Sequence, residues 1–157
     1  MPLVGRIRLF TKSARGVTLS PSDQVIRSPD NESATTFLLT RCLAWNVVSK
    51  TLRARCVSMM DANRTDWYVR HYDFLLRVGF EYVTDNLTLF QNDSSFILHS
   101  DSFYPNYYSL ESLNFPGYYI RLRDDGLFWI ENKTLTTAYL EAASFSLHGY
   151  NTTGMNC

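Results

Sequence analysis

The sequence has no net charge, little cysteine and no long apolar run, and each shortage removes a class of function. Fifteen Lys plus Arg cancel fifteen Asp plus Glu, so no overall field draws in nucleic acid or an anionic membrane. No stretch approaches the roughly 20 apolar residues of a spanning helix, and the start Met1-Pro2-Leu3-Val4-Gly5 lacks the apolar core of a signal peptide. Neither nucleic-acid binding nor membrane insertion by this segment is expected. Also missing are a Gly-x-Ser-x-Gly elbow, a His-Glu-x-x-His pair, a phosphate loop and a Gly-rich dinucleotide motif. Their absence points to a non-enzyme without cofactor or metal.

Only three cysteines occur, at 42, 56 and 157. Cys42 and Cys56 lie too far apart for a Cys-x-x-Cys metal or redox pair, and no His stands beside them in sequence to complete a zinc site. In an oxidising compartment they can close a loop with thirteen residues between them, leaving Cys157 to pair outside this segment.

What is abundant is aromatic. Ten Tyr and ten Phe among 157 residues favour half-buried strands, because large rings pack well on a pleated surface; the length suits one compact domain. Six Asn-x-Ser/Thr triplets begin at Asn31, Asn63, Asn86, Asn92, Asn132 and Asn151, against about two by chance, and such triplets are the acceptors of N-glycosylation. They imply an extracellular glycoprotein, secreted or the ectodomain of a cell-surface protein, of which this chain is an excerpt whose signal sequence lies upstream.

Two landmarks recur three times. The first is an alternating strand with a central Arg, at Arg6-Ile7-Arg8-Leu9, Tyr68-Val69-Arg70-His71 and Tyr119-Ile120-Arg121-Leu122. The second is a hydroxyl residue before Phe, at Thr36-Phe37, Ser95-Phe96 and Ser144-Phe145. Successive Phe positions lie 59 and 49 residues apart, close to one third of the chain. Between the landmarks sits another apolar strand, at Val17–Leu19, Leu75–Val78 and Leu127–Ile130, so each repeat is expected to open with a hairpin. Further strands at 55–60 and 108–113 bring the number to eleven, and a twelfth is expected from a flanking segment. Three four-stranded repeats, at about 1–60, 61–113 and 114–157, predict an all-β chain with pseudo-threefold symmetry.

Trp67-Tyr68-Val69-Arg70-His71, Asp93-Ser94-Ser95-Phe96, Ser109-Leu110-Glu111-Ser112, Pro116-Gly117-Tyr118-Tyr119-Ile120-Arg121 and Ser144-Phe145-Ser146-Leu147 together resemble the arabinofuranose-binding domain attached to α-L-arabinofuranosidases, a β-trefoil carbohydrate-binding module. The resemblance covers nearly the whole chain. It implies a small sugar pocket in each repeat, built from the His after the strand Arg and an Asp three residues before the Phe. The second repeat keeps both, His71 and Asp93, with Tyr72 as an apolar wall. In the first repeat Leu9 and Ala34 stand at these places, and in the third Leu122 and Ala142. At most one sugar pocket is therefore expected, and hydrolysis belongs to a separate catalytic domain of the resembled enzymes.

Arg8, Arg70 and Arg121, present in every repeat, read as scaffold; His99 and His148 read as structural. The cluster Phe103-Tyr104-Pro105-Asn106-Tyr107-Tyr108 is either a contact platform or core under a loop. Two functions fit: a lectin-like module with one working pocket, or an adhesion or receptor ectodomain that contacts protein after losing sugar binding. A heparin-binding growth factor is disfavoured, since Lys12 and Arg15 make no basic cluster. A working pocket requires Asn92, beside Asp93, to be unmodified in the secreted protein. Peptide mass spectrometry checks this, and full occupancy there would move recognition to another face.

Overall fold

The computed structural model describes residues 5–150, so Asn151 and Cys157 lie outside the described residues. The described residues form twelve strands: β1 (Gly5–Thr11), β2 (Val17–Leu19), β3 (Val25–Arg27), β4 (Phe37–Arg41), β5 (Cys56–Asp61), β6 (Trp67–Tyr72), β7 (Leu75–Phe80), β8 (Phe96–Ser100), β9 (Tyr108–Ser112), β10 (Tyr118–Leu122), β11 (Phe128–Asn132) and β12 (Phe145–His148). Three short helices accompany them: α1 (Lys50–Arg53), α2 (Leu87–Asp93) and α3 (Thr137–Ala142). The fold is all-β.

The sheet closes on itself. β1, β4, β5, β8, β9 and β12 pair antiparallel in that order, and β12 returns to β1. Closure removes the free edges that an open sheet exposes. The remaining strands pair as three hairpins, β2–β3, β6–β7 and β10–β11. The hairpins also touch one another, through Gln24 with Arg77, Ile26 with Leu127 and Leu75 with Trp129.

One pairing recurs around the closed sheet. Phe37 lies between Ile7 and Asp61, Phe96 between Val57 and Ser112, and Phe145 between Tyr108 and Thr11. All three rings are buried, and they meet the inward residues of the hairpins, Val17, Val69 and Ile120 among them, in one core. The core is close-packed, leaving a cavity of only about 20 Å3. The polar member of each triplet is also buried and is satisfied by capping the turn that follows. Thr11 Oγ1 accepts from the Arg15 amide at 3.1 Å, Asp61 Oδ1 from Asn63 at 2.9 Å and Ser112 Oγ from Phe115 at 3.2 Å.

The first Arg landmark is not the counterpart of the other two. Arg70 and Arg121 lie in the leading strands β6 and β10 of hairpins, whereas Arg8 lies in β1, which pairs with β4 and β12 and opens no hairpin. The leading strand of the first hairpin is β2, where Val17 shares the core with Val69 and Ile120. The twelfth strand is β3, inside the chain rather than in a flanking segment. At three residues, VIR, it is too short to announce itself by alternation.

α2 and α3 precede β8 and β12 in the same way. Asn86 Oδ1 caps α2 through the Leu89 amide at 2.9 Å, and Thr136 Oγ1 caps α3 through Tyr139 at 3.3 Å. Each helix buries one ring, Phe90 or Tyr139, under the guanidinium of Arg70 or Arg121, at 5.0 and 5.3 Å.

Cys42, just past β4, and Cys56, at the start of β5, form a disulfide with Cα atoms 5.2 Å apart. In the loop it closes, the Trp45 ring lies near the guanidinium groups of Arg41 and Arg53, at 5.3 and 5.5 Å. Replacing both cysteines by Ala is expected to lower stability by about 3 kcal/mol, the loop-closure entropy of a segment this long. Denaturant melts of the oxidised wild type and the variant measure it.

Candidate functional site: a polar pocket beside the β6–β7 hairpin

His71 and Tyr72 end β6, and Asp93 ends α2. The two elements are brought together by the Arg70 side chain, whose Nη2 donates to Asp93 Oδ2 at 2.5 Å while its Nε donates to the His71 carbonyl at 3.2 Å. The three residues singled out in sequence thus line a single cleft of about 240 Å3, with Phe74, Leu89 and Phe115. His71 and Asp93 are buried, at 4% and 5% exposure, and Tyr72 is open to solvent at 56%. His71 and Asp93 are therefore the floor of a recess rather than a surface pair.

A fourth polar group joins them from the turn after β9. Asn114 Nδ2 donates to Asp93 Oδ1 at 2.7 Å, and its Oδ1 lies 2.8 Å from His71 Nε2 and 3.1 Å from Ser112 Oγ. With the amide nitrogen committed to the carboxylate, Asn114 Oδ1 must accept. The proton of neutral His71 therefore sits on Nε2, and Nδ1 keeps its lone pair.

Burial pushes the His71 imidazole below its ordinary value of 6.5. The Asn114 hydrogen bond and the Asp93 carboxylate pull it back up, and the Arg70 charge pushes it down.

The rim of the pocket is aromatic. Phe74 lies 5.4 Å from Phe115 and 5.7 Å from Tyr118, and Phe115 lies edge-on to His71 at 5.4 Å. Phe74 reaches this place through a two-residue turn, Asp73-Phe74, with φ of 49° and 70°. Hairpin turns with both central residues in the left-handed region normally carry Asn or Asp followed by Gly, so a Phe there is held at a cost.

Equivalent places in the other hairpins carry different chemistry. Strand pairing sets His71 opposite Leu76, Leu122 opposite Phe128 and Leu19 opposite Val25. The first-repeat counterpart of His71 is therefore Leu19, not Leu9, and it is equally apolar. Where Phe74 meets Phe115, the first hairpin has an ion pair instead. Arg64, three residues after Asp61 as Phe115 is three after Ser112, donates to Asp23 at 2.9 Å and to Asp61 at 2.8 Å. In the third hairpin Arg121 and Arg123 share Glu131.

Asn114, Ser112, Arg70, Phe74 and Phe115 escaped the sequence reading as site residues. Arg70 serves the scaffold through its carbonyl contact and also lines the pocket. Asn114 left one usable trace, since it follows Ser112 by the same offset at which Asn63 follows Asp61. Of the glycosylation acceptors, Asn31, Asn63, Asn86 and Asn132 are exposed, and Asn92 is half-buried next to Asp93 in α2.

A closed all-β sheet with hairpins packed on its core and a small polar pocket at one of them defines the class. The chain belongs to the alpha-L-arabinofuranosidase B (ABFB) domain family, whose model matches residues 9–147. A search of curated proteins by sequence gives no match.

Among solved structures it is similar to an arabinofuranosidase complexed with arabinofuranosyl-α-1,2-xylobiose, with TM-score 0.69 and 18% identity over 92% of this chain and 30% of that one. A GH54 α-L-arabinofuranosidase soaked with a cyclic sulfate inhibitor gives TM-score 0.72 and 16% identity over 94% and 31%. A GlcNAcα1-4Gal-releasing endo-β-galactosidase from Clostridium perfringens gives 0.63 and 11% over 94% and 33%. The chain spans about a third of the length of these structures, and at such identities the likeness is one of fold.

Because folding lowers the His71 value, the folded state binds fewer protons than the unfolded one near neutrality. The stabilisation is complete above the ordinary value of 6.5 and is lost as pH falls below it. Urea midpoints measured from pH 8 downward are expected to fall more steeply below about 6.5 for wild type than for His71→Gln.

Proposed function

We propose that this chain is a non-catalytic carbohydrate-recognition module with one working pocket, carried in a secreted or cell-surface protein, and that its closed sheet and hairpins form a β-trefoil. The trefoil assignment is supported by the six-strand closed circuit, the three hairpins and the recurring Phe pairing. Strand pairing favours repeats of four strands that begin with β1, β5 and β9, within a single domain. The extracellular assignment rests on the disulfide and the exposed acceptor asparagines.

The sugar-binding role rests above all on the convergence of His71 and Asp93, both held by Asn114, in the cleft lined by the rings of Tyr72, Phe74 and Phe115. A carboxylate acceptor and an imidazole beside each other suit vicinal hydroxyls, and exposed ring faces suit the C–H side of a sugar. Membership of the ABFB family favours an arabinofuranose-type residue as the ligand. Both Asp93 oxygens are already engaged by Arg70 and Asn114, which fits an acceptor in a binding site better than a proton donor to a leaving group.

Protein contact is the second reading, favoured by the exposed Tyr82, Val83, Leu87 and Leu89 along the edge of the same hairpin and helix.

A glycan array probed with wild type, His71→Ala and Phe74→Gly tests the pocket. Losing one hydrogen-bonding group of the floor is expected to weaken sugar binding about tenfold or more in His71→Ala. Phe74→Gly relaxes the turn and removes one wall, so it is expected to bind more weakly while remaining folded. Binding that survives His71→Ala, or no binding by wild type, refutes the pocket.

A further inference from the structure

A second cleft, sharing no residue with the His71 pocket, lies where β1 runs beside β12. Arg8, Phe10, Lys12, Asn31, Tyr107 and His148 line it, with Glu32 also on its wall, and it encloses about 340 Å3. That is within the roughly 300–1,000 Å3 of small-ligand sites.

Its two cations rest on rings rather than in ion pairs. Arg64, Arg70, Arg121 and Arg123 each face a carboxylate. Among the described residues, neither Arg8 nor Lys12 does. The Lys12 ammonium is held 4.8 Å from the centre of the Tyr104 ring and 5.5 Å from that of Tyr107. The Arg8 guanidinium lies 5.8 Å from Phe10, and its one hydrogen bond among the described residues, to the Asn31 carbonyl, is long at 3.5 Å. A cation resting on ring faces is positioned without being neutralised, and its N–H donors remain available to an anion. Phe10 is fixed in turn by His148, with ring centres 4.4 Å apart.

Two unneutralised cations and one carboxylate on a ring-walled recess suit a ligand with a single negative charge and a flat apolar face. We propose that this cleft binds an acidic sugar residue. Arg8 and Lys12 take its carboxylate, Tyr107 backs the ring, and Glu32 accepts from its hydroxyls. The aromatic run at 103–108, which is only partly packed in the core, thereby gains a role. The heparin-type reading failed for want of a basic cluster along the sequence; here the two charges converge on one sugar-sized recess instead. A glycan on Asn31 would stand at its mouth, so the unglycosylated chain is the form to test.

The isotopically labelled chain is titrated at constant ionic strength with methyl glucuronide, methyl glucoside and sodium sulfate, following the amides of Lys12, Asn31 and Tyr107 by NMR. Glucuronide is expected to give saturable shifts, at least tenfold tighter than glucoside. It is expected to weaken by at least tenfold in Arg8→Gln/Lys12→Gln and to be unchanged in His71→Ala, which separates this site from the first pocket. Lys12→Gln alone, altering one half-exposed stem, gives the same direction of change if the double variant does not fold. Equal affinity for glucoside, or glucuronide binding that persists in the Lys12 variant, overturns the proposal. Sulfate shifts as saturable as those of glucuronide would mark a plain anion site and also overturn it.

Discussion

The contact on which the rest of this molecule depends is the threefold burial of Phe37, Phe96 and Phe145 inside a sheet that closes on itself. Each ring is flanked by an apolar residue on one neighbouring strand and a hydrogen-bonded polar residue on the other. The apolar side joins the core, and the polar side starts a turn. One local arrangement therefore both fills the interior and fixes where each chain reversal begins. Because the ring of strands is closed, no free edge remains to slip in register, and the hairpins packed against it inherit that rigidity.

Upon this common frame the three hairpins diverge at their tips. The first sets Arg64 against Asp23 and Asp61 at its turn, the third pairs Arg121 and Arg123 with Glu131 of its second strand, and the second sets the rings of Phe74 and Phe115 together. Ion pairs fill their space and neutralise one another. Rings leave apolar faces uncovered, and the cleft they rim has a polar floor of His71 and Asp93, fixed by Asn114. The hairpins thus differ at strand ends and turns while sharing one core.

Much of this was legible in the sequence, for physical reasons that can be named. Alternation exposed β6, β7, β10 and β11, because long half-buried strands carry a strong period-2 signal. The Phe motif was visible because a closed core tolerates little change at its centre. His71, Tyr72 and Asp93 were found through family resemblance and do share a cleft. β3 was missed because three residues carry no period, and Arg8 was misassigned because β1 alternates as a hairpin strand would. Asn114 was beyond reach for another reason: it meets His71 across 43 residues, through the pairing of strands that no local pattern specifies.

The pairing of β1 with β12 sets Arg8 opposite His148, so the first and last strands described are immediate neighbours. A domain whose two ends lie side by side can be inserted into a longer polypeptide as a loop would be, without stretching either flank. It also accepts new termini at a hairpin tip more readily than one whose ends are far apart.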